Sequence, residues 1–136
     1  MLADGADRPK RRRADTVERL LDAALETFAE IGFAAASVED ICRCGGFTRG
    51  AFYSSFHTKD ELFGALFARE TARNIALAEA QLTGIEQESD PVTVGVERCL
   101  SAFRADRTWV LVLTEYRLHA ARHPAVSYTH LTLPTN

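Results

Sequence analysis

The sequence holds four prolines, one tryptophan and one methionine among 136 residues. So little proline leaves long stretches free to run as helix. The three cysteines are an odd number without a disulfide-like spacing, so a reduced, cytoplasmic protein is expected. No signal peptide precedes the first basic cluster, and no apolar run approaches the roughly 20 residues of a membrane span, so no membrane partner is expected. No HExxH, phosphate-binding glycine loop or nucleophile elbow occurs, so neither an enzyme nor a cofactor is expected. The most informative absence is local. Between Ile41 and Lys59 there is no Asp or Glu.

That stretch reads ICRCGGFTRGAFYSSFHTK and carries Arg43, Arg49 and Lys59. A second basic cluster, Arg8, Lys10, Arg11, Arg12 and Arg13, precedes it. From Asp60 to the end there are seven basic and ten acidic side chains, and the whole chain is at −3. A net negative chain argues against indiscriminate nucleic-acid binding. Positive charge gathered at two places fits a defined DNA footprint. Two short helices joined at Gly45-Gly46 then read as a helix-turn-helix that docks a helix in the major groove.

In chain order, residues 1–13 read as a disordered basic arm. It is either a solvated tail or an arm that touches phosphates or enters the minor groove. Asp15 or Thr16 is the expected cap of the first helix. Val17, Leu20, Leu21, Ala24, Leu25, Phe28 and Ile31 form its buried stripe, and Gly32 ends it. Ser37 with Asp40 resembles a capping box for the second helix, with Val38, Ile41 and Cys42 inward. Phe47 plugs the angle between the helices. Thr48 caps a third helix running from Arg49 to about Phe56, with Phe52 and Phe56 on its core side.

The outer face of that third helix is Arg49, Gly50, Ala51, Tyr53, Ser54 and Ser55. It is small, basic or hydroxylic, where a water-facing helix would carry long Glu and Lys. Gly50 costs roughly 1 kcal/mol against Ala inside a helix. It either permits close approach of backbone to DNA or marks a poor helix.

Thr58 with Glu61 opens a fourth helix from about Lys59 to Leu82. Leu62, Phe63, Leu66 and Phe67 tie its first half to the head. Lys59 in the first turn opposes the helix dipole, and a bound phosphate would reverse that penalty. Pro91 starts a fifth helix, with Val92, Val96, Cys99, Leu100 and Phe103 as its apolar side. Asp106 or Thr108 starts a sixth, with Trp109, Val110, Val112, Leu113, Tyr116 and Leu118. The expected fold is all-α: a three-helix helix-turn-helix head at 14–63, then a long linking helix and the start of a helical regulatory and dimerisation domain at 64–124. Two helices from Pro91 onward do not cover the sixth helix and the far half of the fourth. A longer natural chain, interrupted near Ala125, is therefore expected, with 125–136 a non-helical and non-native tail.

Cys42 and Cys44 lie on different helix faces and have no partner pair, so no zinc site is expected. His119 and His123, with Glu115 a turn earlier, have a spacing that either holds a metal or marks a solvated helix face. The latter is preferred, and no metal site is expected.

The stretch Ile41 to Leu62 resembles the signature of tetracycline-repressor (TetR) type regulators. Ile41, Gly46, Gly50, Tyr53, Phe56, Lys59 and Leu62 match it, and Phe28, Gly32 and Phe33 agree. Cys42, Gly45, Phe47 and Thr48 depart from it in the core and the turn, although Thr48 keeps the hydroxyl cap. The resemblance implies a homodimer on a palindromic operator in double-stranded DNA, with a pocket for a small apolar or cationic effector. It implies that Thr48 bonds phosphate, that Arg49 reads a base edge, and that Tyr53 and Lys59 hold phosphates. Ser37, Gly50, Ala51 and Ser55 complete the candidate set. The expected function is a sequence-specific transcriptional regulator, a ligand-responsive repressor. The alternative is a helical ligand-binding or protein-interaction module without DNA affinity.

Overall fold

A computed structural model describes the backbone of residues 7–123 and the side chains of 9–102 and 106–123. Among these residues lie six α-helices, one 3-10 turn and no strand. The helices are α1 (Asp7–Ile31), α2 (Val38–Gly45), α3 (Arg49–Tyr53), α4 (Lys59–Leu82), α5 (Pro91–Ala105) and α6 (Arg107–Arg122), with the 3-10 turn at Ile85–Gln87. No helix among them is long and apolar enough to cross a membrane. The tail at 125–136 and the side chain of Phe103 lie outside the described residues.

Helix α1 begins well before the expected cap. Residues 7–13 are helical, which corrects the reading of a disordered arm through Arg13. Thr16 does not cap; its Oγ1 donates to Arg12 O at 2.9 Å, one turn back inside the helix. The physical reason is local. Pro9 sits in the first turn, where its missing N–H is harmless, and Lys and Arg propagate helix well.

Leu20, Ala24 and Phe28 of the α1 stripe are fully buried, and Leu21 nearly so. Ile31 is not in the stripe, being 45% exposed. The chain reverses at Gly32, whose φ of +85° suits a residue without Cβ, and Phe33 enters the core in its place.

Helix α2 has the expected capping box. Ser37 accepts from Asp40 N at 3.1 Å, and Asp40 Oδ2 accepts from Ser37 N at 2.9 Å. The two turn glycines divide their work. Gly46 takes the left-handed conformation, at φ +69°. Gly45 does not. A Cβ there would lie 2.6 Å from the Phe47 ring and 3.0 Å from Ala23 Cβ, so its use is close packing of α2 on α1.

Helix α3 is shorter than expected and ends at Tyr53. Phe52 and Phe56 are buried as read. Helix α4 has the expected limits, with Thr58 Oγ1 accepting from Glu61 N at 3.0 Å. The return bond differs, because Glu61 Oε2 accepts from His57 N at 2.8 Å rather than from the cap residue.

The core crosses the expected boundary at residue 63. Trp109, Val112, Tyr116 and Ala120 of α6 are buried in the same cluster as Phe28, Phe33 and Phe63. Tyr116 stacks on Phe63 with ring centres 3.6 Å apart and meets Phe33 edge-on at 4.9 Å. Helix α5 packs through Gly95 on the 3-10 turn and the end of α4, where an added Cβ would lie 2.6 Å from Ile85 Cδ1 and 3.4 Å from Leu82 Cδ2. Val92, Val96 and Leu100, read as the apolar side of α5, are exposed among the described residues. The close approach at Gly95 presents a different face of α5 to α4.

Candidate nucleic-acid interface

The α2–turn–α3 unit presents one exposed surface. Thr48, at the start of α3, is exposed, and its Oγ1 accepts from Ala51 N at 3.1 Å. The hydroxyl proton is given to no acceptor among the described residues, so Thr48 can still donate outward.

Arg49 follows it, with its side chain 63% exposed. Its Nη1 lies 3.0 Å from Glu39 Oε1 on α2, and its guanidinium stands 5.8 Å from the centre of the Tyr53 ring. Contact with the Tyr53 phenol first, and the Glu39 carboxylate second, raises its proton affinity further. Glu39 lies just outside the acid-free stretch, and its pairing with Arg49 was missed. No spacing rule predicts an ion pair across a turn.

Gly50 is exposed and has no positive φ. The nearest atom to an added Cβ would be Thr48 Oγ1 at 3.8 Å. Nothing inside the described chain requires glycine there. Ala51 and Ser55 are half-buried, and Tyr53 is 46% exposed with its ring edge-on to Phe52 at 5.2 Å. Ser54 Oγ donates to Ala51 O at 2.8 Å.

Two candidates are occupied internally. Ser37 Oγ donates to Asp40 Oδ2 at 2.6 Å, which uses its proton. The same contacts hold the Asp40 carboxyl below its ordinary range, with Arg43 assisting. Lys59 Nζ turns into the head, donating to Phe33 O at 2.6 Å and to Ala36 O at 2.9 Å, and it lies 4.4 Å from the centre of the Phe33 ring. Burial lowers its proton affinity, and the neighbouring Asp60 partly restores it. The ammonium read as a phosphate contact is therefore a tie between α4 and the α1–α2 loop. Thr48, Arg49, Gly50 and Tyr53 share the outer surface, while Ser37 and Lys59 brace it.

His119 and His123 have ring centres 4.5 Å apart, and His123 Nδ1 lies 2.9 Å from His119 O. Among the described residues no group of three or more His, Cys, Asp or Glu is placed to hold a metal.

A capped helix, a two-glycine turn and a short outward helix on a helical core define a helix-turn-helix head. Residues 20–66 match the family model for bacterial regulatory proteins, tetR family. The chain is 30% identical over 95 residues to the HTH-type transcriptional regulator AcrR of Shigella flexneri, covering 65% of this chain and 40% of that protein. It is 37% identical over 71 residues to the HTH-type transcriptional repressor Rv1474c of Mycobacterium tuberculosis, covering 52% and 38%. Among solved structures, a transcriptional regulator (TerR/AcrR family) from Aquifex aeolicus superposes with a TM-score of 0.64 at 26% identity, over 85% of this chain and 64% of that one. The fatty acid degradation regulator FadR of Bacillus halodurans shares the fold, with a TM-score of 0.65 at 22% identity. Residues 20–66 are thus similar to the head of the tetR family, a family of bacterial regulatory proteins. The chain spans about two fifths of the length of these curated relatives.

Proposed function

We propose that this chain belongs to a cytoplasmic, sequence-specific transcriptional regulator, a ligand-responsive repressor, and carries its DNA-reading head. The observation that supports this best is the outer face of α3. Arg49, Gly50 and Tyr53 of α3 and Ser54 just after it are exposed and include no acid, and Gly50 meets no internal demand for glycine. A missing side chain on an exposed helix is accounted for by close approach of another molecule's backbone or base. Arg49 is the base-reading residue, because a guanidinium grips guanine O6 and N7 together. Thr48 and Tyr53 hold phosphates and set the register.

The partner is double-stranded DNA with a palindromic operator, bound by a homodimer. Regulation comes from a small apolar or cationic effector. No catalytic role and no cofactor are assigned.

Selection of bound duplexes from a random DNA pool tests this reading. A palindrome with half-sites about one helical turn apart is expected. A lone half-site would retain the head and remove the dimer. No enrichment from a folded sample would refute DNA reading and favour an interaction module.

A further inference from the structure

The first turns of α1 carry a run of cations that the site above does not use. Lys10, Arg11, Arg12 and Arg13 are all exposed, and none forms an ion pair among the described residues. Arg12 and Arg13, with Thr16, form one wall of a cleft of about 340 Å³. Ser54 and Ser55, which directly follow α3, form the other. No acid lines it. Thr16 and Ser54 have given their hydroxyl protons to Arg12 O and Ala51 O. Ser55 Oγ makes no hydrogen bond among the described residues. Two guanidiniums without an ion-pair partner among the described residues and one hydroxyl thus surround the cleft, a donor set suited to the anionic oxygens of a phosphate.

The position of the cleft selects the source of that phosphate. Its second wall continues the helix assigned to the major groove. The nearest anion to the end of a helix in that groove is the backbone of the flanking strand. We propose that this cleft grips one backbone phosphate of that strand, with Arg12 and Arg13 supplying charge and Ser55 a neutral donor. The proposal rests on the reading that α3 enters the major groove. It adds a second anchor, which turns the basic segment from a loose arm into a rigid ridge of α1.

The test uses the whole chain and two duplexes of equal length, one recovered by selection and one scrambled. Affinity is measured across a salt series for the unaltered chain, for the double variant Arg12→Gln with Arg13→Gln, and for Arg11→Gln. Glutamine keeps helix propensity, so far-UV circular dichroism stays unchanged. The double variant is expected to weaken both duplexes alike, by about tenfold. Its slope of log affinity against log salt falls by about one, the loss of one phosphate contact. An unchanged slope in a chain that still binds would overturn the cleft and leave the α3 reading intact. An equal loss from Arg11→Gln, whose side chain does not line the cleft, would reduce the effect to diffuse charge and also overturn it. Failure of the unaltered chain to bind either duplex would overturn both readings.

Discussion

Replacing Lys59 by methionine separates two accounts of one residue. As a phosphate contact, Lys59 would weaken DNA binding when removed and leave the fold alone. As an internal tie, it would weaken the fold. Its Nζ makes two short bonds, at 2.6 Å to Phe33 O and 2.9 Å to Ala36 O, and stands over the Phe33 ring. Hydrogen bonds to a charged group contribute about 1.5–3 kcal/mol each. Two terms reduce that sum. Burial disfavours the ammonium, which is why its proton affinity is lowered. The carbonyls also belong to a loop with exposed positions at Ala34 and Ala35, so water replaces part of what is lost. The net loss for Lys59→Met is about 2 kcal/mol. For a helical unit of the size of residues 7–123 this lowers the melting midpoint by roughly 8 °C. Urea and thermal unfolding followed by circular dichroism measure it directly. A change under about 0.5 kcal/mol, together with an equal loss of affinity for every duplex, would refute the tie and restore the phosphate role.

Three further substitutions bear on separate parts of the molecule. Arg49→Ala should relax sequence preference by about 1–3 kcal/mol at one base pair, read from a repeated duplex selection, and leave the unfolding midpoint nearly unchanged. Tyr116→Phe should be neutral or stabilising by up to about 1 kcal/mol, because the buried Tyr116 hydroxyl has no hydrogen-bond partner among the described residues; urea midpoints decide it. His119 is held below its ordinary value of 6.5 by burial first, with His123 and Lys59 adding and Asp60 opposing. The unfolded chain then binds that proton more readily, so stability is present above about pH 6.5 and is lost as pH falls through the depressed folded value. His119→Gln should flatten unfolding midpoints between about pH 7 and 5, and an unchanged slope would remove this residue from the account.

Much of the head was legible because its signals are local. Ser37 with Asp40, Thr48, and Thr58 with Glu61 are caps that act within four residues, and their chemistry is the same in any fold. The limits of α4 followed from such signals. The start of α1 did not, because a cap residue counts only where the helix needs to begin. Asp15 and Thr16 offered a cap, yet nothing upstream as far as Pro9 breaks the helix. The direction of Lys59 was not legible either. Its position in the first turn of α4 is clear, but its reach to Phe33 and Ala36 depends on a loop more than twenty residues away. The Glu39–Arg49 pair escaped for the same reason. The apolar positions of α6 pointed to several partners but did not say that the head core was among them.

That shared core bears on how the head can respond to the rest of the chain. Phe33 is held from two sides by its own peptide groups. Its N–H donates to Glu115 Oε2 of α6 at 3.3 Å, and its C=O accepts from Lys59 of α4 at 2.6 Å. Its ring meets Phe28, Phe63 and Tyr116. Further along α4, Arg69 is nearly buried and donates Nη1 to Asp22 Oδ1 at 2.8 Å and to Glu18 Oε2 at 3.2 Å on α1. Its Nε donates to Glu70 Oε1 at 3.0 Å; Nη2 is as close to that oxygen, but poorly aligned for a bond. Burial pushes the guanidinium toward losing its proton, and the bonds from Glu70 and Asp22 outweigh it. The buried pair, Arg69 with Glu70, lies within α4; the bonds across to α1 reach carboxylates that are more than half exposed and contribute about 1 kcal/mol or less each. Helix α4 is thus bonded to α1 at Arg69 and to the α1–α2 loop at Lys59. A displacement of α4 has no soft joint between these points in which to dissipate. It carries α1 and the loop that precedes α2 with it, or it breaks a charged contact at Arg69 or Lys59.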